Sequence, residues 1–199
     1  MNRTGAPFVD QAPYVAPFRE VDGRVGLSVS GQWRSPSGYL VRSGFYDNFA
    51  NPDALKDGQY AWHTRFFHFG LSVPVSDRWQ IVAQWLDGNT EMGPTVNSKQ
   101  AVDNDFTSYF VATSYRHGPS SWYIRYDAFR VVDRDFLQTD NNNEDGFATT
   151  LGYRHRLNDR WSISGEWLRV ETERPIWAFN GFATQRAESI WQLRAHWRR

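Results

Sequence analysis

A chain of 199 residues is long enough for one sizeable domain, and its 22 basic and 22 acidic residues cancel, which argues against a nucleic-acid binder with its usual basic excess. The absence of cysteine excludes disulfide scaffolds, thiolate zinc sites and thiol catalysis. Aromatic residues make up 17% of the chain, 10 of them Trp, yet the mean hydropathy is −0.64, so a chain that is polar on average must sort its rings by position.

Residues 1–23 hold Pro7, Pro13 and Pro17 with no clear period and read as an irregular lead-in. The opening "MNRTGAPFVDQAPYVAPF" lacks the apolar core of a signal peptide. No run approaches the ~20 apolar residues of a membrane helix, whereas a membrane β-barrel is compatible because its alternating strands average out in hydropathy.

From Arg24 the period is two. "RVGLSVSGQWR" (24–34) sets Val25, Leu27, Val29 and Trp33 against Ser28, Ser30 and Gln32, and "SPSG" (35–38) turns the chain. "YLVRSGFY" (39–46) returns with Arg42 and Gly44 opposite its apolar residues, and a polar segment (47–58) follows. "QYAWHTRFFHFGLSV" (59–73) sets Phe67, Phe69, Leu71 and Val73 against His68, Gly70 and Ser72. After the turn 74–77, "RWQIVAQWL" (78–86) opposes Trp79, Ile81, Ala83 and Trp85 to Gln80 and Gln84, and residues 87–104 read as a long polar loop. "DFTSYFVATSYR" (105–116), the turn 117–120 and "SWYIRYDAFRVV" (121–132) form the next pair, with Trp122, Ile124 and Tyr126 opposed to Arg125 and Asp127. A loop (133–144) leads to "DGFATTLGYRHR" (145–156) with Arg154, the turn "LND", and "RWSISGEWLRV" (160–170) with Trp161 and Trp167 opposite Glu166. The loop 171–186 precedes "AESIWQLRAHW" (187–197), where Trp191, Leu193, Ala195 and Trp197 oppose Gln192, Arg194 and His196.

This predicts an all-β, antiparallel up-and-down meander of nine strands over 24–199, with short and long connections alternating strictly. All tight turns then lie at one end. Trp33, Trp79, Trp122 and Trp161 adjoin short turns and Trp197 closes the last strand at that end, which is the pattern of an interfacial girdle. The opposite face carries Arg42, His68, Arg125, Asp127, Arg154, Glu166, Arg194 and His196, charges that a dry core would hold only at large desolvation cost. The expectation is a transmembrane β-barrel or partial barrel with its apolar face outward and these eight residues lining a watery lumen.

Three strand segments, "SWYIRYDAFRVVDRD", "NNNEDGFATTLGYRHRLNDRWSISGEWLRVETERP" and "IWQLRAHWRR", resemble the C-terminal strands of Gram-negative outer-membrane porin-like proteins. "FYDNFANP" and "QWLDGNTEMGP" resemble loop borders in the same group. The resemblance spans roughly residues 24–199. It implies the bacterial outer membrane, contact with lipid and lipopolysaccharide, and a terminal strand read by the barrel-assembly machinery. A homo-oligomer is compatible with it. The implied function is passive diffusion of small hydrophilic solutes, with the slight basic excess of the polar face favouring anions, no cofactor, no metal and no catalysis. Nine strands with periplasmic turns would start at the outer end, so the chain reads as the C-terminal part of a longer barrel whose residues 1–23 are an external-loop remnant.

Two other readings compete. One is a non-channel barrel with a structural or adhesin role; the other is a soluble, Trp-rich carbohydrate-binding β domain, for which Trp177 in "RPIWAFNGF" is a stacking candidate. "TDNNNEDG" (139–146) alternates like a calcium loop, but its Gly146 is misplaced and the closing Glu is missing, so a solvated loop is expected. No local motif marks a Ser–His pair of the kind some outer-membrane lipid hydrolases use.

Overall fold

The computed structural model describes Tyr14, Ala16, residues 19–137 and residues 141–198. Eleven strands form, in chain order β1 (Leu27–Arg34), β2 (Leu40–Asp47), β3 (Leu55–Lys56), β4 (Gln59–Tyr60), β5 (Trp62–Pro74), β6 (Trp79–Val96), β7 (Lys99–His117), β8 (Ser120–Asp133), β9 (Glu144–Arg156), β10 (Trp161–Glu173) and β11 (Gln185–Trp197). Nine of them make one antiparallel sheet in the order β1-β2-β5-β6-β7-β8-β9-β10-β11, each strand beside its chain neighbour, and β3 pairs with β4 separately. This is the predicted meander. The sheet is open: β1 and β11 are its edges and do not pair with one another.

Register fixes the faces, because alternate residues of a strand project to opposite sides. The pairs Val41↔Leu71, Leu71↔Ala83, Ala83↔Val111, Val111↔Tyr126 and Tyr126↔Thr149 carry one apolar face across six strands. Its large side chains are exposed, from Phe69 through Tyr109 and Ile124 to Leu193, and no second layer covers them among the described residues. On the opposite face, Tyr46, Phe66, Phe106, Phe110, Tyr123 and Phe129 are only half exposed. With neither face covered, that difference is what a sheet curled toward its polar face produces.

The curl brings backbone and rings close on the polar side. Tyr123 on β8 lies across Gly152 on β9, its direct register partner, and its hydroxyl donates to the Glu166 carboxylate one strand further on. A Cβ at Gly152 would fall inside the Tyr123 ring. Gly88 is a second seat: a Cβ there would meet the Arg65 carbonyl at 2.5 Å and the Phe106 ring at 2.7 Å. Only a glycine lets a ring lie flat against the wall at these points.

The strands are also staggered. Leu40 pairs with Ser72 while β5 runs on to Pro74; Trp79 pairs with Tyr115 while β7 runs on to His117; Ser120 pairs with His155 while β9 runs on to Arg156. Each hairpin end is displaced the same way, the register shift that tilts strands in a barrel.

Two long connections hold more structure than their composition predicts. The segment 87–104, expected as a loop, continues β6 and β7 to a two-residue turn, Asn97–Ser98, with φ of 51° and 63°. Both left-handed residues identify a type I′ turn, whose twist suits a hairpin. Pairing slips between Met92 and Thr95. In 47–58, β3 and β4 are joined by Asp57–Gly58, again both at positive φ. This small hairpin packs on the extension: Tyr60, Met92, Ala101 and Val102 are buried together against Phe136 and Leu137. The Asp53 carboxylate accepts the Thr95 amide at 2.7 Å, and Pro52 accepts the Gly93 amide at 3.0 Å. Loop 171–186 contains a two-turn 3-10 helix, Pro175–Asn180, ended by Gly181 at φ 71°.

Candidate functional site

All eight candidate lumen residues project from the polar face, and all five girdle tryptophans from the apolar one. The tryptophans do not share a rung: Trp33 pairs with Val41 and Trp161 with Trp197, whereas Trp79 pairs with Tyr115 and Tyr115 with Trp122. Each sits beside its own turn or at the strand end facing one, so together they form an aromatic band along the turn end of the sheet. Tyr115 and Tyr153, which sequence reading assigned only to the apolar face, complete it. Ring centroids run Trp79–Tyr115 at 5.7 Å, Tyr115–Trp122 at 6.1 Å and Trp122–Tyr153 at 5.4 Å, a continuous row worth about 0.5–1.5 kcal/mol per pair beyond burial. The Trp79 indole donates to Thr113 Oγ1 at 2.7 Å, so its polar edge is satisfied.

A second aromatic level lies six residues along each strand: Trp85, Tyr109, Phe147 and Trp167, with Phe67 against Trp85 at 6.1 Å, Tyr126 against Phe147 at 6.1 Å and Trp167 against Trp191 at 6.2 Å. Beyond it the same face turns polar at once, in the rung Asp87–Thr107–Arg130–Asp145. From Trp79 to Asp87 is about 26 Å of strand at ~3.3 Å per residue, or about 20 Å of height at barrel tilt, slightly less than the ~25 Å apolar band of outer-membrane barrels. Past that boundary His63 bridges Asp47 (3.0 Å) and Glu91 (3.2 Å).

The polar face divides along its length. Mid-strand, its charged side chains pack into the wall. Arg125 holds Asp127 through Nε at 2.9 Å and Nη2 at 2.5 Å, and its guanidinium lies 3.9 Å over the Phe110 ring. Glu166 is taken by Tyr123. His68 is half-buried over Gly44, whose missing Cβ leaves room for the imidazole. Arginines nearer the long loops are paired too: Arg134 with Asp105 at 2.9 Å, Arg169 with Glu171 at 2.7 Å and Arg174 with Glu144 at 3.4 Å.

Toward the turn end the pairing stops. Arg42 is exposed between Gln32 and Gly70. Arg154 donates only to Ser162 Oγ, at 3.1 Å, and Arg194 only to Gln192. Arginines flank every short turn, Arg34, Arg78, Arg116, Arg156, Arg160 and, at the end of β11, Arg198, against the two aspartates Asp77 and Asp159. None of them forms an ion pair among the described residues. Sequence reading passed over them because each borders a turn, where a charge is ordinary; the repeated "DRW" at 77–79 and 159–161 is the signal that could have marked them.

Other candidates are accounted for. Arg186 lies over one face of the Trp177 ring at 4.2 Å. The calcium candidate lies partly outside the described residues, and no cluster of three or more metal-ligating side chains occurs among the described ones. Ser120 Oγ contacts His155 Nδ1 at 2.9 Å, with the Tyr153 hydroxyl at 3.1 Å from the same oxygen. No carboxylate or amide partners the far ring nitrogen of His155 among the described residues, so the group that would hold the imidazole as a base is missing from this contact. The comparisons with known proteins add nothing to the geometry: no family model, no curated protein and no solved structure matches the chain.

Proposed function

We propose that this sheet is the wall of an outer-membrane, porin-like channel that passes small hydrophilic solutes, with a bias toward anions, by diffusion and without turnover. The observation that carries the reading is the inversion of its two faces. Rings and aliphatics stand exposed between two aromatic levels, while the inside of the curl interleaves hydroxyls, glycines and arginines with half-buried rings. An apolar face of this size in water is an aggregation hazard; in a bilayer it is the required surface. The stagger of the hairpins supports it further, since strands must tilt to enclose a lumen. Spanning lipid also demands that no edge remain unpaired, so β1 and β11 need strand partners in the membrane.

A specific observation favours a second reading, a barrel whose lumen is closed. Met92 and Val102 of the buried loop cluster share the polar side of the β6–β7 extension, so the cluster lies toward the mouth of the curl. Planar-bilayer recording of the refolded protein decides between the two. Stepwise, anion-selective conductance is expected for the channel; stable insertion without steps would mean a plugged barrel, and no insertion would refute both.

A further inference from the structure

The turn end of β7–β11 carries a feature that conduction alone does not require. On the polar face one rung reads Arg116–Ser121–Arg154–Ser164–Arg194 across five strands, and beside it runs Arg156–Ser162–His196. Arginines stand on alternate strands with serines between them. Strands lie ~4.8 Å apart, so successive arginines root about 9.6 Å apart, near the ~8 Å screening length at physiological salt. Their mutual repulsion is therefore mild, while an anion set between two of them attracts both. Arg116, Arg154, Arg156, Arg160, His196 and Arg198 line a cleft of about 540 Å³ here, and the one carboxylate at its rim, Asp159, pairs with none of them. Ser121 and Ser162 add hydroxyls.

We propose that this cleft binds phosphate groups. A guanidinium presents a planar fork that takes two oxygens of a phosphate or carboxylate at once, and several unpaired forks match an anion with more charge and more oxygens than a single carboxylate has. The convergence carries the inference: among the described residues six arginines are held by carboxylates and several others are not, but five without an ion pair, Arg116, Arg154, Arg156, Arg160 and Arg198, line this one cleft. The phosphate comes either from a soluble phosphorylated solute or from the headgroup of an anionic phospholipid. The site does not depend on whether the lumen conducts.

The test is binding by the full chain folded in zwitterionic detergent, titrated with inorganic phosphate and pyrophosphate against sodium chloride of equal ionic strength, and separately by chain reconstituted in phosphatidylglycerol or phosphatidylcholine bilayers. Saturable phosphate binding is expected, weakened at least about tenfold in the double variant Arg154→Gln, Arg156→Gln and unchanged in Arg134→Gln at the opposite end. Circular dichroism establishes that each variant is folded; should the double variant not fold, Arg116→Gln replaces it. Binding of soluble phosphate assigns the solute source. Selective retention of phosphatidylglycerol, lost in the same variant and without affinity for free phosphate, assigns the headgroup. Chloride acting as well as phosphate, or equal loss in Arg134→Gln, overturns the proposal. Because no current is measured, its failure is distinct from failure of the channel reading.

Discussion

Gly152 shows how one missing side chain organises three strands. Tyr123 occupies the space of its Cβ and reaches over it to Glu166. Gly152→Ala must eject the ring and is expected to cost about 1–3 kcal/mol, as overpacking does. In a Tyr123→Ala background the same change should cost little, and urea unfolding of the two single variants and the double in detergent measures that coupling. Arg125 is settled by its neighbours in the same way: Asp127 and Phe110 take up its guanidinium. Asp127→Asn would free it, and the reversal potential in a salt gradient should then shift toward anions; an unchanged potential would place Arg125 away from the ion path. Outside the apolar band, Asp22 ties the lead-in to the loop after β2, accepting the amides of Asn51 at 2.5 Å and Arg24 at 3.1 Å. Burial pushes its carboxyl up, but these bonds and the Arg24 guanidinium outweigh burial and hold it below its ordinary 3.8. A depressed carboxyl stabilises the folded form above its ordinary value and loses that contribution as pH falls through the lower one. The Asn51 amide resonance should therefore stay in place down to about pH 4 and move only below it.

At the scale of elements, the strands that cross the apolar band were legible and their extensions were not. Alternation exists only where one side of a strand meets an apolar medium. Trp79–Trp85 and Tyr109–Tyr115 give one side to rings and aliphatics; "DGNTEMGPTVNSKQAVDN" has no such side, and its pairing rests on backbone bonds and on the Asn97–Ser98 turn. The turn itself was readable in principle, but Asn-Ser is a weaker signal than Asn-Gly. Ser98 sits at φ 63°, a conformation that costs a side-chain-bearing residue about 1–2 kcal/mol, partly offset in glycine by backbone entropy. Ser98→Gly is accordingly expected to stabilise by about 0.5–1 kcal/mol and Ser98→Val to destabilise, both read as shifts in the thermal midpoint. The face of each candidate residue was legible from parity. Its partners were not: that Arg154 shares a rung with Ser121 and Ser164 rather than with a carboxylate depends on register between strands, which turn geometry and stagger set.

The whole molecule is neutral in sum and polarised in layout. A cluster of arginines without ion pairs lies at the turn end, most of the ion pairs and a small buried loop cluster lie toward the other, and an exposed apolar face lies between. On the proposed reading, lipid meets the apolar face of the sheet and water the polar one. The chain has no cysteine, so any introduced thiol is a unique reporter of which medium it meets. Val111→Cys, Ile124→Cys and Leu151→Cys place thiols on the apolar face, and Ser108→Cys and Ala112→Cys on the polar face one residue away in register. With the protein in lipid vesicles and a membrane-impermeant maleimide in the water, the polar-face thiols should react and the apolar-face thiols should remain protected until detergent dissolves the bilayer. Equal reactivity of the two sets in vesicles, or apolar-face thiols shielded in a chain that stays in detergent-free buffer, would contradict a wall with lipid outside and water within.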